Sequence, residues 1–270
     1  MIPDKRLGQH FLTDRSILQR IVDALEPAPD DVVIEIGAGK GSLTAVLAPR
    51  VRHVIAIERD RRLIAALRTR NAECGIDRLS IVQGDALRVD WQALAIPHSA
   101  FPIPHFKVIG NIPYAITSPL IDKALTAPLP VRIVFLVQAE VADRIAASPG
   151  SKPYGALSVG VQAVCRVERL FTVRAGAFTP PPKVTSAVLR LTPLGQPLVA
   201  PEEARGFRAF VTACFTRRRK QLRNVVMAAT GRSAAVVMAG LATLGLDPAA
   251  RPETLAPEAF VRLLRWSVRL

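Results

Sequence analysis

Short apolar runs closed by glycine, acid or proline alternate with stretches of helical period over most of the chain. Val32-Val33-Ile34-Glu35-Ile36 reads as a buried strand that runs into glycines, and Ser42 to Leu47 begins a helix. His53 to Glu58 predicts a second strand, Arg61 to Cys74 a helix, and Leu79 to Gln83 a third strand closed by Gly84-Asp85. A proline-rich connection from Ile96 to Pro104 precedes a fourth strand at Lys107 to Ile109. Val131 to Val137 predicts a fifth, followed by a helix from Ala139 to Ala147. Strands without polar alternation, separated by helices, suit a parallel sheet covered on both faces, so the pattern predicts an α/β fold.

The pattern then changes. Ser148 to Gly155 has the composition of a mobile loop. Arg166 to Val173 and Val184 to Leu191 predict antiparallel strands joined through Phe178-Thr179-Pro180-Pro181-Pro182. Thr192 to Pro197 is the expected domain boundary, giving domains 1–194 and 195–270. Beyond it Phe207, Val211, Cys214, Leu222 and Val225 form one apolar helical stripe. Arg217 to Asn224 is expected to continue that helix, with Arg217, Lys220 and Asn224 along one side.

Charge changes the picture more than hydropathy does. The 270 residues include 36 Lys and Arg against 22 Asp and Glu, a formal +14. An Arg-rich proteome would give the same total, but the excess is uneven: from Pro201 to Leu270 there are twelve basic and five acidic residues. Concentrated cations point to a polyanionic partner, since Lys and Arg neutralise phosphates and release counterions. No apolar run reaches bilayer length and no hydrophobic segment follows Met1-Ile2-Pro3-Asp4-Lys5-Arg6, so neither membrane nor secretory signal is expected. Cys74, Cys165 and Cys214 are scattered and odd in number, reading as thiols of a reducing cytosol without disulfide or metal framework.

Glu35-Ile36-Gly37-Ala38-Gly39-Lys40-Gly41 lies between a strand and a helix, where glycines let a nucleotide approach the backbone. The Gly-x-Gly-x-Gly spacing differs from dinucleotide sites, and Lys40-Gly41 excludes a P-loop. Glu58 ends the next strand, where a carboxylate accepts from ribose hydroxyls, and Asp85 ends the third, placed to accept from an adenine amine. Helix capping would also explain either acid alone. Together after a glycine turn they fit S-adenosylmethionine better than NAD, and no pair for hydride transfer is evident.

Asn111-Ile112-Pro113-Tyr114 then supplies an acceptor for a methyl group. Asn and Pro suit any turn, but an exocyclic base amine has particular needs. Its lone pair is delocalised into the ring. Accepting both amine hydrogens, at Asn111 Oδ1 and the Ile112 carbonyl, frees that pair for in-line attack by positioning and electrostatics alone. Tyr114 is placed to stack on the base, which must leave any helix to reach it.

Leu7 to Leu12, Glu35 to Thr44, Gly84-Asp85-Ala86, Gly110 to Tyr114, Phe178 to Val188 and Phe215 to Asn224 resemble, in order, the motifs of the ribosomal RNA adenine dimethyltransferases, most nearly their bacterial housekeeping branch. The resemblance implies a class I S-adenosylmethionine-dependent methyltransferase fold, with a Rossmann-like, mostly parallel seven-stranded sheet and a small all-helical C-terminal domain that binds rRNA. It implies dimethylation of N6 on two adjacent adenines in a hairpin near the 3′ end of small-subunit rRNA. The expected agent is a cytoplasmic monomer with a role in small-subunit biogenesis, needing no metal. By resemblance, Gln9, His10 and Leu12 lie at the cofactor, Gly37 and Gly39 meet its methionine part, Glu58 its ribose, and Asp85 with the Ala86 amide its adenine. Asn111 serves cofactor and target amine, Tyr114 covers one face of the target base and Phe178 the other, although residue type alone favours a core role for Phe178.

Ala38, Ala115 and His10 depart from residues common in the family. Arg217, Arg218, Arg219, Lys220 and Arg223 are the expected RNA contacts, against the alternative of a merely solvated face. Other readings are a resistance-type methyltransferase of large-subunit rRNA and an assembly factor acting mainly by binding.

Overall fold

The computed structural model describes residues 10–74, 78–99 and 105–268. Contacts divide the chain into two compact units, Met1–Ala142 with Glu168–Pro193, and Asp143–Val167 with Leu194–Leu270. The sequence places one boundary at 194/195; the contact partition changes units at 193/194 and also assigns Asp143–Val167 to the second unit.

In chain order the elements begin with β1 (Phe11–Leu12), α1 (Arg15–Ala24), β2 (Val32–Ile36), α2 (Ser42–Leu47), β3 (His53–Glu58), α3 (Arg61–Cys74) and β4 (Leu79–Gln83). There follow α4 (Trp91–Ala95), β5 (Phe106–Asn111), α5 (Thr117–Ala124), β6 (Arg132–Gln138), α6 (Ala139–Ile145) and α7 (Ala156–Gln162). The last are β7 (Cys165–Val173), β8 (Phe178–Thr179), β9 (Ser186–Pro193), α8 (Ala204–Thr216), α9 (Leu222–Thr230), α10 (Ala234–Thr243) and α11 (Pro257–Val268).

Seven strands form one sheet in the order β4-β3-β2-β5-β6-β9-β7, and β1 pairs with β8 in a separate two-stranded ladder. Pairing from β4 through β6 is parallel, whereas β9 runs antiparallel to β6. All five residues of β2 are buried, including Glu35, as are the first five of β5. Helices on both faces leave these central strands no solvated side, hence their unbroken apolar runs. The register sets the ends of β2, β3 and β5 beside one another: Ile36 pairs with Ile57 and with Gly110. A Cβ at Gly110 would lie 2.6 Å from the Ile36 carbonyl oxygen, so a side chain there would push β5 off β2. At the opposite rim Lys107 Nζ donates to Asp31 Oδ2 and the Glu26 carbonyl, both at 2.6 Å, while Arg132 and Arg190 pair with the Glu26 carboxylate.

The second unit has its own core, built on Tyr154, Phe207, Val211, Cys214, Leu222, Val225 and Phe260. Two expectations change here. Ser148 to Gly155 is pinned rather than mobile: Gly150 N donates to the Glu253 carbonyl at 2.7 Å. Tyr154 is fully buried with its hydroxyl on the Leu255 carbonyl at 2.8 Å. One aromatic anchor outweighs the loop-like composition around it. The cationic run, moreover, is no helix. α8 ends at Thr216, α9 begins at Leu222, and Arg217 to Lys220 form the turn between them. The apolar stripe read as one helix is two helices contributing to one core.

Cys165 and Cys214 are free and buried, their thiols pushed up to about 12 by burial; the side chain of Cys74 lies outside the described residues. Among the described residues no single helix is long and apolar enough to cross a membrane, and no cluster of three or more potential metal ligands occurs.

Candidate functional site

The ends of β2, β3, β4 and β5 surround a cleft of about 190 Å³ lined by, among others, Gly37, Gly39, Glu58, Asp85, Asn111 and Tyr114. Parallel strands explain the convergence. Equivalent positions at their C-terminal ends fall side by side, and the loops that follow form one crevice.

The glycine turn forms one wall. Gly37, Gly39 and Gly41 have φ of 69°, 59° and 76°, the left-handed region open to glycine at little cost. A Cβ on Gly39 would come within 3.3 Å of the Phe11 ring. Glu58, 7 % exposed, braces the turn: its Oε2 accepts from Gly39 N at 2.9 Å and its Oε1 from Asp60 N at 2.8 Å. Each carboxylate oxygen accepts more than one hydrogen bond, so these contacts orient Glu58 without using up its capacity.

Glu35 lies behind the same turn, 1 % exposed, with Thr44 Oγ1 donating to its Oε2 at 2.6 Å. Burial pushes its carboxyl up to about 8, with the nearby Glu58 charge acting in the same direction. Two acids on neighbouring strands thus have different characters, one braced at the cleft and one held toward its neutral form behind it.

Asp85 and Ala86 form the next wall, in the turn after β4. Asp85 Oδ1 accepts from Leu87 N at 3.0 Å, and the Ala86 carbonyl accepts from the Trp91 indole at 3.0 Å. Opposite stands the turn after β5. Asn111 Nδ2 donates to the His10 carbonyl at 2.9 Å, which leaves Oδ1 as the amide's acceptor arm. Ile112 N donates to the Leu136 carbonyl at 3.0 Å, fixing the peptide that follows. The Tyr114 hydroxyl meets Ser186 Oγ at 3.1 Å, and its ring lies 6.1 Å from that of His10 at 27°. Ala115 is exposed at the rim, whereas Ala38 packs inward at 6 % exposure.

Of the residues expected here, His10, Gly37, Gly39, Glu58, Asp85, Ala86, Asn111 and Tyr114 line this cleft. Gln9 lies outside the described residues. Leu12 is set back, 5 % exposed in the core, and borders instead a chamber of about 40 Å³ with Glu35 and Asn111. Its neighbour Phe11 takes the place by the cleft, under the Lys40 ammonium at 4.8 Å. Strand alternation turns adjacent residues to opposite sides, which separates Phe11 from Leu12 within β1. Phe178 is set back as well. It is 3 % exposed, pairs with Leu12 across β1 and β8, and belongs to the core rather than the cleft lining. Its ladder partner turns inward and carries the ring with it. Arg59, exposed beside Asp85, also lines the cleft, although no motif in the sequence marks it.

The cations of the second unit also divide. Arg218 bonds to Glu253 and, at 2.8 Å, to the Lys152 carbonyl, so it ties the turn to its own unit. Arg217 and Lys220 are exposed and line an open hollow with Asn224 and Arg232. Arg219 and Arg223 are exposed as well.

Known proteins similar to this chain include methyltransferases of small-subunit rRNA and of 23S rRNA. The family described as ribosomal RNA adenine dimethylase matches residues 3–266. A protein named ribosomal RNA small subunit methyltransferase A from Geobacter metallireducens is 42 % identical over 268 residues, covering 98 % of this chain and 96 % of its own. Its namesake from Syntrophotalea carbinolica is 43 % identical, with 97 % and 95 % covered. Among solved structures, a dimethyladenosine transferase from Plasmodium falciparum superposes with a TM-score of 0.78 at 28 % identity over 94 % of this chain and 96 % of that one. The 23S rRNA methyltransferase ErmE gives 0.72 at 30 % identity, over 95 % and 98 %.

Proposed function

The chain belongs to the ribosomal RNA adenine dimethylase family, and from that premise we propose that it dimethylates N6 of two adjacent adenines in a hairpin near the 3′ end of small-subunit rRNA. The methyl donor is S-adenosylmethionine, and the fold is that of the class I enzymes using it. The observation that carries the reading is the convergence of glycine turn, Glu58, Asp85 and Asn111 to Tyr114 on one cleft. The residues fit the cofactor, since the turn at Gly37 and Gly39 leaves backbone space that Cβ atoms would fill and carboxylates stand where ribose and adenine donors would come. When bound, S-adenosylmethionine supplies an electrophilic methyl group.

Gly37 and Gly39 admit its methionine part, Glu58 accepts from the ribose, and Asp85 with the Ala86 amide reads the adenine, while His10 and Phe11 cover it. Asn111 Oδ1 and the Ile112 carbonyl accept the hydrogens of the target amine. Tyr114, steadied by Ser186, stacks on the flipped base. These groups position and polarise, and none needs to act as a strong base.

The second unit serves as the rRNA-binding domain, with Arg217, Arg219, Lys220 and Arg223 on phosphates. The protein acts as a cytoplasmic monomer on a partly assembled small subunit. Incubation with labelled S-adenosylmethionine and undermethylated small subunits, large subunits or naked rRNA, with the methylated adenines mapped, tests the reading. Label is expected on small-subunit adenines. Label on large subunits alone refutes it in favour of the resistance-type activity, and tight binding to small subunits without label favours an assembly factor.

A further inference from the structure

The turn bearing Asp85 and Ala86 follows β4 without regular structure of its own. Three of its amides are satisfied from within: Asp85 Oδ1 takes Leu87 N, and the Asp85 carbonyl takes Arg88 N and Val89 N at 2.8 and 3.1 Å. Two of its carbonyls are bound from outside, by one residue. Lys123, in the last turn of α5, donates from Nζ to the Leu87 carbonyl at 3.0 Å and to the Val89 carbonyl at 2.6 Å. The same ammonium lies 5.3 Å from the centre of the Trp91 ring, whose indole holds the Ala86 carbonyl.

The arrangement has a cost, because a half-buried ammonium gives up water for neutral carbonyls and one ring face. Burial lowers the Lys123 pKa, with Asp90 and Asp85 pulling the other way. Its position makes the cost informative. α5 begins three residues after Tyr114, and Thr117 Oγ1 in its first turn reaches the Pro113 carbonyl at 3.4 Å. Lys123 therefore joins the helix that continues the amine-holding turn to the turn that presents Asp85.

We propose that Lys123 is a positioning residue which clamps the Asp85–Val89 turn onto α5 and so sets how sharply the cleft distinguishes adenine from a ring lacking its amine. The proposal rests on the reading of Asp85 and Ala86 as the adenine end of the cofactor cleft. A simple staple would lower the melting temperature when removed. A clamp that sets the aim of Asp85 also changes a ratio of affinities, which general loosening leaves alone.

The test is calorimetric titration of the full chain with S-adenosylhomocysteine and with S-inosylhomocysteine, in which a carbonyl replaces the 6-amino group. Wild type is expected to prefer the adenine form. Lys123→Met should shrink that preference about tenfold, the scale of one well-aimed hydrogen bond. Lys123→Arg, which can still donate to both carbonyls, should restore it. An undiminished preference in Lys123→Met overturns the proposal whatever happens to the melting temperature. If that variant fails to fold, Lys123→Gln is read by the same ratio. A wild type that binds neither ligand, or binds both equally, defeats the reading of the cleft itself and this inference with it.

Discussion

The strand ends around Glu58, Asp85 and Asn111 and the turn from Arg217 to Lys220 are both dense in functional residue types, yet they place side chains by different means. At the strand ends, sheet register sets neighbouring positions side by side, so residues distant in sequence share one cleft. In the turn, adjacent residues diverge. Arg218 turns to Glu253 and the Lys152 carbonyl, while Arg217 and Lys220 line an open hollow. Proximity in sequence therefore overstates common purpose in a turn and understates it across parallel strands.

That contrast is broken most directly at Asn111. Asn111→Ala removes the acceptor arm and is expected to cut single-turnover methyl transfer by about 10²- to 10³-fold while leaving rRNA affinity in place. Near-normal turnover would show that the strand-end cluster does not hold the amine. Gly110→Ala tests the register beneath it. With Ile36 O only 2.6 Å from the new Cβ, thermal unfolding should reveal a loss of about 1–3 kcal/mol, the usual range for overpacking, together with weaker transfer.

The turn is tested by pairing variants. Arg217→Glu with Lys220→Glu should weaken rRNA binding and flatten its log–log salt dependence by about 2, one per phosphate contact removed, at an unchanged melting temperature. Arg218→Ala should do the reverse, lowering stability by about 1 kcal/mol at most with the salt slope retained. Equal salt effects from both would abolish the distinction drawn between them.

A separate, pH-dependent effect concerns Glu35. Its carboxyl is raised from 4.5 to about 8 when folded, so between those values the native state holds the proton more tightly than the unfolded chain. Stability from this group is full below about 4.5 and declines as pH rises towards 8. Glu35→Gln should remove that decline from denaturant midpoints measured across the window, and an unaltered profile would rule it out.

The central strands were legible because burial on both faces leaves no polar alternation to mislead, as in Val32 to Ile36. The cleft was legible for the same reason, since acids at strand ends must converge once the sheet is parallel. Phe178 and Leu12 were harder. Their orientation depends on a ladder of two residues per strand, too short to show a period. Arg217 to Lys220 fit a helical wheel, but nothing in the run marks where α8 stops. Tyr154 shows the converse, a single buried ring fixing a segment whose other residues read as loose. α1 was missed although Asp14 caps it and Leu18, Ile21 and Val22 mark its inner face; that signal was available.

Gly110 has one more consequence, for noise. Because it presses β5 directly against β2, the turns at Gly37 and Asn111 rise from what is mechanically a single plate, and the Asn111 carbonyl oxygen would lie only 3.5 Å from a Gly37 Cβ. Thermal jostling of that plate displaces both turns in common, so the gap between them fluctuates less than the position of either. On the roles proposed for these two turns, that gap is the span between methyl donor and acceptor. The missing side chain then acts as vibration isolation, letting a flexing sheet hold the span steady.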